Sequence, residues 1–339
     1  MATLRSDVIV PEVFTAYVDE AVTTRSAFLN SGVIQPLEIL NAQEGGDFIN
    51  VPSWSANLTG DAEVLSDSTS LTPGKIGAEK QICPVLHRGR AWEVRTLAAL
   101  AAGDDPMGAI GRKVAEYISH QQQKDVFSIL KGVFGPLTSN TTGALKALAI
   151  DSNATASVLS PGKVAEARAA LGDQGEKLSV IAMHSKVYYD LVERRAIEYV
   201  TAAEARQTAD NSMPDAFGGN LANAYGNVEV PTYMGLRVIV SDDVNNDGTN
   251  YASYLFTPGA MASGTQSGLV TETDRDILAL SDAMSVHWHN LYHPLGLSYK
   301  SGTGGANPSR TTLETASNWE QIYETKNLGI VSIVSNPNF

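Results

Sequence analysis

The chain has 339 residues, a formal net charge of −13 and 43% apolar residues. That is enough apolar side chain for a sizeable core, and the length fits two domains or one elaborate one. The acidic balance excludes a general nucleic-acid binder, which needs Lys and Arg to neutralise phosphates. No apolar run approaches the ~18 residues of a membrane span, and MATLRSDVIVPEVF lacks the apolar segment of a secretory signal. Cys83 is the single cysteine, so no internal disulfide exists and a cytosolic origin is the default.

In chain order, the first element is an amphipathic helix over 11–31. It opens at Pro11, carries Phe14, Tyr17, Val18, Val22, Phe28 and Leu29, and has Gly32 just past its end. Its terminal position lets it lie on its own domain or on a neighbouring subunit. Residues 46–96 hold two strand-like ends, Phe48–Pro52 and Ile82–Val94. Between them runs a polar Gly/Ser/Thr/Asp/Pro stretch with little to bury. A loop of that length inside a compact domain is unusual, so a projecting β-hairpin arm is expected. An isolated ribbon is marginal in water, which requires a partner to support it.

Gly103–Gly135 reads as one long helix, about 40 Å from end to end. Asp104 or Asp105 caps it, Pro106 opens it, and Gly135–Pro136 stops it. Met107, Ile110, Val114, Tyr117, Ile118, Val126, Phe127, Leu130 and Val133 recur on the 3.6-residue period of a buried stripe. A second helix is expected over 160–171, capped by Ser160. A buried strand follows at Leu178–Met183. A third helix is capped by Ser185 and runs through KVYYDLVERRAIEYV. Strands are expected at Gly235–Val240 and Tyr251–Phe256, joined by the polar turn Ser241–Asn250. The stretch 269–300 reads as exposed strands joined by loops. The tail 311–334 reads as a short helix or turn and then a strand. Helices and strands mix without a βαβ repeat, so the class is α+β.

Three sets of residues carry candidate chemistry. His287 and His289 share one face of a strand, and with His293 they offer imidazoles for a metal. No nearby cysteine or carboxylate completes the set, and ordinary polar or interface histidines are the preferred reading. Asp243-Val244-Asn245-Asn246-Asp247-Gly248 matches half of a calcium loop, but the twelfth position is Tyr254 rather than Glu; a turn is preferred. Arg88-Gly89-Arg90 offers cations to a phosphate or to a neighbour's carboxylate. Phosphate-loop, dinucleotide, nucleophile-elbow and HExxH motifs are absent, and Cys83 in QICPVL reads as a buried, inert thiol. An arm, a projecting hairpin and a long helix without a catalytic motif point to a self-assembling structural protein.

In their order and spacing these phrases resemble the major capsid proteins of tailed bacteriophages, whose shell fold encapsulins share. The resemblance rests on PEVFTAYVDEAVTTRSAFLNSGVI, GGDFINVPSW, LHRGRAWEV, DPMGAIGRKVAEYISHQQQKDVFSILKGVFG, SVIAMHSKVYYDLV, GLRVIVSDDV with YASYLFTPGAM, and NWEQIYETKNLGIVSIV. It implies an N-terminal arm (1–45) and an extended loop (46–97). It also implies a peripheral domain (98–157 and 269–310, spine helix 104–134) and an axial domain (158–268 and 311–339).

The implied protein is a structural subunit of the virion capsid, assembled in the host cytoplasm, with no enzymatic activity and no cofactor. It forms hexamers and pentamers around double-stranded DNA. A portal, a separate scaffolding protein (no long segment precedes the arm) and a decoration or cement protein are expected partners; a membrane is not. Intersubunit contacts are assigned to Phe14, Tyr17, Phe28, Trp54, Arg88, Arg90 and Trp92. Some relatives crosslink through a loop lysine; Lys75 and Lys80 lie in this loop, but no acceptor is identified. The alternatives are an encapsulin-like compartment shell and, from another class, a metal-dependent enzyme using His287, His289 and His293.

Overall fold

A computed structural model describes residues 28–29, 31–41, 45–54, 62–63, 71, 76–96, 106–138, 143–151, 157–201 and 229–337. Most of the arm expected over 11–31, including Phe14 and Tyr17, lies outside the described residues, as do Asp104, Asp105 and Lys75.

The described chain begins with strand β1 (Ile34–Pro36), then β2 (Phe48–Trp54), β3 (Ala78–Pro84) and β4 (Leu86–Arg95). The spine helix α1 (Pro106–Phe134) follows, then β5 (Ala149–Ile150), helix α2 (Pro161–Ala170) and β6 (Val180–Met183). Helix α3 (Ser185–Glu193) leads to β7 (Glu198–Thr201), β8 (Glu229–Tyr233), β9 (Leu236–Val240) and β10 (Tyr251–Phe256). Two long strands, β11 (Met261–Asp276) and β12 (Ser281–Pro294), precede β13 (Leu297–Tyr299), β14 (Trp319–Gln321) and β15 (Ile330–Ser335). A four-stranded sheet has the order β1-β11-β12-β4, and a seven-stranded sheet has the order β5-β15-β10-β6-β9-β8-β7. Two two-stranded ribbons, β2-β3 and β13-β14, complete the set among the described residues.

The spine helix serves both sheets. Its first half buries Val114, Ala115 and Ile118 against Met284, Val286 and Trp288 of β12. Its second half buries Val126, Phe127, Ile129, Leu130 and Val133 in the core of the seven-stranded sheet. The helix ends where Gly135 takes φ +80 and its N–H closes on the Lys131 carbonyl, a left-handed stop that glycine adopts without a Cβ clash.

Two helix expectations shift. Ser160 precedes α2 without a side-chain capping bond. α3 is capped by His184, whose Nδ1 accepts the Lys186 N–H at 3.1 Å, and not by Ser185. It stops at Glu193 rather than running through Val200. Arg195 turns the chain at φ +55, and Glu198–Thr201 then pairs with β8. The β-branched and aromatic character of EYVT suits a strand better than another helical turn.

The expected return strand Ile82–Val94 is two strands in two sheets. β2 pairs with β3 from Phe48↔Pro84 to Trp54↔Ala78. β4 pairs with β12 from Ser281↔Arg95 to Asn290↔Leu86. Pro84 has no N–H to continue a ladder, and Val85 bonds back to the Asp47 carbonyl at 3.0 Å. The projecting ribbon therefore ends at Pro84, and LHRGRAWEV belongs to the body. Likewise the stretch around 269–300 forms one long hairpin, β11 with β12, and short closing strands.

The ribbon is rooted by buried groups. Ile49, Cys83 and Val85 share a core with Leu40, Ala262 and Leu291. Gln81 is fully buried, and its Oε1 accepts from His293 Nε2 at 2.8 Å and from the Gly296 N–H at 3.0 Å. His293 Nδ1 is buried without a partner among the described residues. Burial drives the His293 pKa down to about 4, because a buried imidazolium loses its hydration.

Two consequences are testable. A Cβ at Gly132 would overlap the Leu313 carbonyl oxygen and lie 2.6 Å from Trp319 Nε1. Gly132→Ala is therefore expected to destabilise the subunit by about 2–3 kcal/mol in urea unfolding. His293 stays neutral in the fold while the unfolded chain takes up its proton near the ordinary histidine pKa. Stability is thus complete above about pH 6.5 and falls by roughly 3 kcal/mol as pH drops to about 4. His293→Gln keeps a donor for Gln81 and cannot titrate, so urea midpoints between pH 7 and 4 should flatten in that variant.

Candidate assembly surfaces

Of the residues assigned to intersubunit contact, Phe14 and Tyr17 lie outside the described residues, and the others have distinct places. Trp54 ends β2 at the outer part of the ribbon and is 68% exposed; Leu71 and Ile76, farther along the same loop, are exposed too. Lys80 is exposed on β3. Arg90 is exposed on β4 and has no ion pair among the described residues. Trp92 is half-buried, edge-on to Tyr117 of the spine helix with ring centroids 5.3 Å apart.

Two assignments are corrected. Phe28 has no exposed surface and packs between Phe127 and Phe256, with centroids at 5.1 and 5.6 Å. It is a core residue of its own subunit. Arg88 finds its carboxylate within the chain. Its Nε lies 3.5 Å from Asp125, and its Nη1 and Nη2 donate to Asn307 Oδ1 at 3.2 Å and the Pro308 carbonyl at 2.8 Å.

The histidine trio does not form. His289 Nδ1 lies 2.8 Å from Nδ1 of His87, its cross-strand partner, while His293 faces Gln81 in the buried root of the ribbon. Four residues along a strand span roughly 13 Å, too far for His289 and His293 to share an ion. No group of three or more His, Cys, Asp or Glu is placed to hold a metal among the described residues. Burial, followed by the neighbouring His87 and His287, lowers the His289 pKa. His87 lies 202 residues from His289 in the chain, and only the β4–β12 register brings the two together.

The calcium-like segment is a turn. Asp247 Oδ1 accepts the N–H groups of Thr249 and Asn250 at 2.9 and 2.6 Å. These bonds stabilise the carboxylate and help hold the Asp247 pKa below its ordinary value, against the effect of burial. Asp243 binds Gln123 Nε2 of the spine helix at 2.8 Å. The strands on either side do not pair with each other, because β6 lies between β9 and β10. Tyr254, in the position of the calcium-binding Glu, is buried and accepts from Asn245 Nδ2 at 2.5 Å. Burial pushes the Cys83 thiol pKa up, away from nucleophilic use.

The remaining conspicuous feature is exposed apolar surface. It occurs on the ribbon, at Ile277, Leu278 and Leu280 in the β11–β12 turn, and at Tyr189, Val192 and Tyr199 beside β7. Apolar side chains gathered at projecting ends mark contact surfaces. Among the described residues no helix is long and apolar enough to cross a membrane.

A family profile described as Major capsid protein 13-like (Gp13-like) matches residues 11–329. The major capsid protein of Bacillus phage SPP1 is 35% identical over 339 residues, covering 96% of both chains. The fold is similar to that of the Ralstonia phage GP4 capsid, with a TM-score of 0.57 at 9% identity over 92% of this chain and 89% of that one. It is also similar to the Cyanophage Pam1 capsid asymmetric unit, with a TM-score of 0.56 at 13% identity over 91% and 90%. Neither the compartment-shell nor the metal-enzyme alternative gains support from these matches. The chain belongs to the Gp13-like family of major capsid proteins, the structural subunits of bacteriophage heads.

Proposed function

We propose that the subunit closes into an icosahedral shell of hexamers and pentamers around double-stranded DNA, with the arm (11–31) and the ribbon (46–84) gripping neighbouring copies. The carrying observation is the ribbon: its root is fixed by the buried Gln81–His293 pair, while Trp54, Leu71 and Ile76 stand in solvent. A two-stranded ribbon gains little stability alone, and exposed aromatic and aliphatic groups on it need a partner to cover them. The first capsid subunit whose sheet edge or helix meets the ribbon supplies that cover.

In this reading the four-stranded sheet with the first half of the spine helix forms the peripheral domain, and the seven-stranded sheet forms the axial domain. The role is structural, without catalytic turnover. The net charge of −13 suits a wall that holds DNA without gripping it, since phosphate binding scales with cationic contacts. A scaffolding protein, a portal and a decoration protein are the proposed partners at the shell.

Replacing residues 55–77 by a short Gly/Ser turn tests the ribbon. The subunit should remain soluble with its melting temperature unchanged and yield no closed particles in negative-stain electron microscopy. Normal particles from that variant would remove the assembly role of the ribbon.

A further inference from the structure

The β11–β12 hairpin ends in Ile277-Leu278-Ala279-Leu280, and Leu278 is 97% exposed. A solvated turn of this size ordinarily uses Gly, Asn or Asp, which adopt positive φ at little cost. Here Leu280 holds φ +50, a conformation unfavourable for a bulky side chain. Four hydrogen bonds fix it. Asp276 Oδ1 accepts the N–H groups of Leu278 at 2.8 Å and Ala279 at 3.1 Å. The Leu280 carbonyl accepts from the Thr96 N–H at 2.9 Å and the Thr96 hydroxyl at 2.8 Å. A rigid aliphatic tip is thus held in water by the sheet that carries it, and it has no freedom to fold back.

The same body presents a place for such a tip. Trp92 of β4 and Ile110, Val114 and Tyr117 of the spine helix line a groove of about 310 Å³. That is room for several aliphatic side chains. Lys113 stands in this groove, exposed, with no ion pair among the described residues. At the tip, exposed Asp276 uses Oδ1 within the turn, and no described group bonds to its Oδ2. The tip is pinned to Thr96, so it cannot enter its own groove.

We propose that the Ile277–Leu280 tip of one subunit seats in the Trp92–Tyr117 groove of a second copy of this chain, with Asp276 facing Lys113. Aliphatic groups meet an aromatic-lined apolar wall, and opposite charges meet at its rim. Two different surfaces of one molecule make a heterologous contact, which closes into a ring when the rotation permits. The charge pair sets register and rejects a mismatched approach. This contact lies outside the arm and the ribbon, so its failure and theirs are separable.

Heads made in cells that express the complete set of head genes supply the test. With Leu278→Cys and Ile110→Cys in one chain, oxidation of purified shells should give disulfide-linked multimers of the chain. Each single variant should give none, because native Cys83 is fully buried. Shells that assemble without such multimers, or a disulfide to a different polypeptide, overturn the proposal. Charge exchange is an independent arm and decides the matter if the cysteine pair blocks assembly. Asp276→Lys and Lys113→Asp should each lower the yield of shells about tenfold, and the double exchange should restore it. Melting temperatures of the soluble subunits should stay at the native value. Single exchanges that assemble as well as the native chain, or a double exchange without rescue, also overturn it.

Discussion

One carboxylate in the middle of the spine helix holds the subunit together. Asp125 is buried, with Arg310 Nε at 2.7 Å and Arg88 Nε at 3.5 Å. Arg88 comes from β4 and Arg310 from the closing segment, so this one site joins the helix to two distant stretches of chain. A buried carboxylate without cations would be strongly destabilising, and the two guanidinium groups must therefore keep their positions whenever the helix does. Arg310 also donates to the Gln121 carbonyl and side chain at 3.0 and 2.7 Å. On neighbouring turns Gln123 binds Asp243, and Lys131 binds Glu314 at 2.6 Å. Gln121, Gln123 and Asp125 lie between the two apolar halves of the helix and tie it to β4, to the segment after β9 and to the closing segment.

That arrangement accounts for the division of labour. Two separate cores share one helix about 43 Å long, so a single continuous element joins the two sheets. The ribbon leaves this body at the Gln81–His293 root, and the β11–β12 turn ends the long hairpin of the four-stranded sheet. Shell assembly needs fixed geometry, because a subunit that must close a curved lattice cannot leave the direction of its contacts to chance. In the proposed assembly, apolar groups at the projecting ends provide contact area, and the Asp276–Lys113 pair provides register.

The histidines illustrate how residue type and role diverge. His293 is neutral, buried and bonded to Gln81. His289 meets His87 across a strand pair. His184 caps a helix through its ring nitrogen. Within the expected set, His293 and His289 take separate structural tasks at the ribbon root and on the β4–β12 pair, so the three imidazoles do not converge on one ion. A metal site needs ligands within a few ångströms of one point, and a strand separates residues by roughly 3.3 Å each.

Local pattern alone determined much of this protein. The apolar period of the spine helix, its Pro106 opening and its Gly135 stop place it within three residues of the observed bounds. The runs at Leu178, Gly235 and Tyr251 are the central strands of the larger sheet. The strand-like ends at Phe48 and Ile82 fall on the β2–β3 ribbon, and the phrases together identified the family. These features are legible because periodicity, caps and turn residues act within a few residues of one another. Pairing across the chain decided the rest. Only the register of β4 on β12 separates LHRGRAWEV from the ribbon and brings His87 to His289. Only the packed core claims Phe28, and only the approach of the helix turns Arg88 inward to Asp125. Those outcomes depend on which distant surfaces meet and on the cost of leaving a buried charge unpaired, and no local pattern records them.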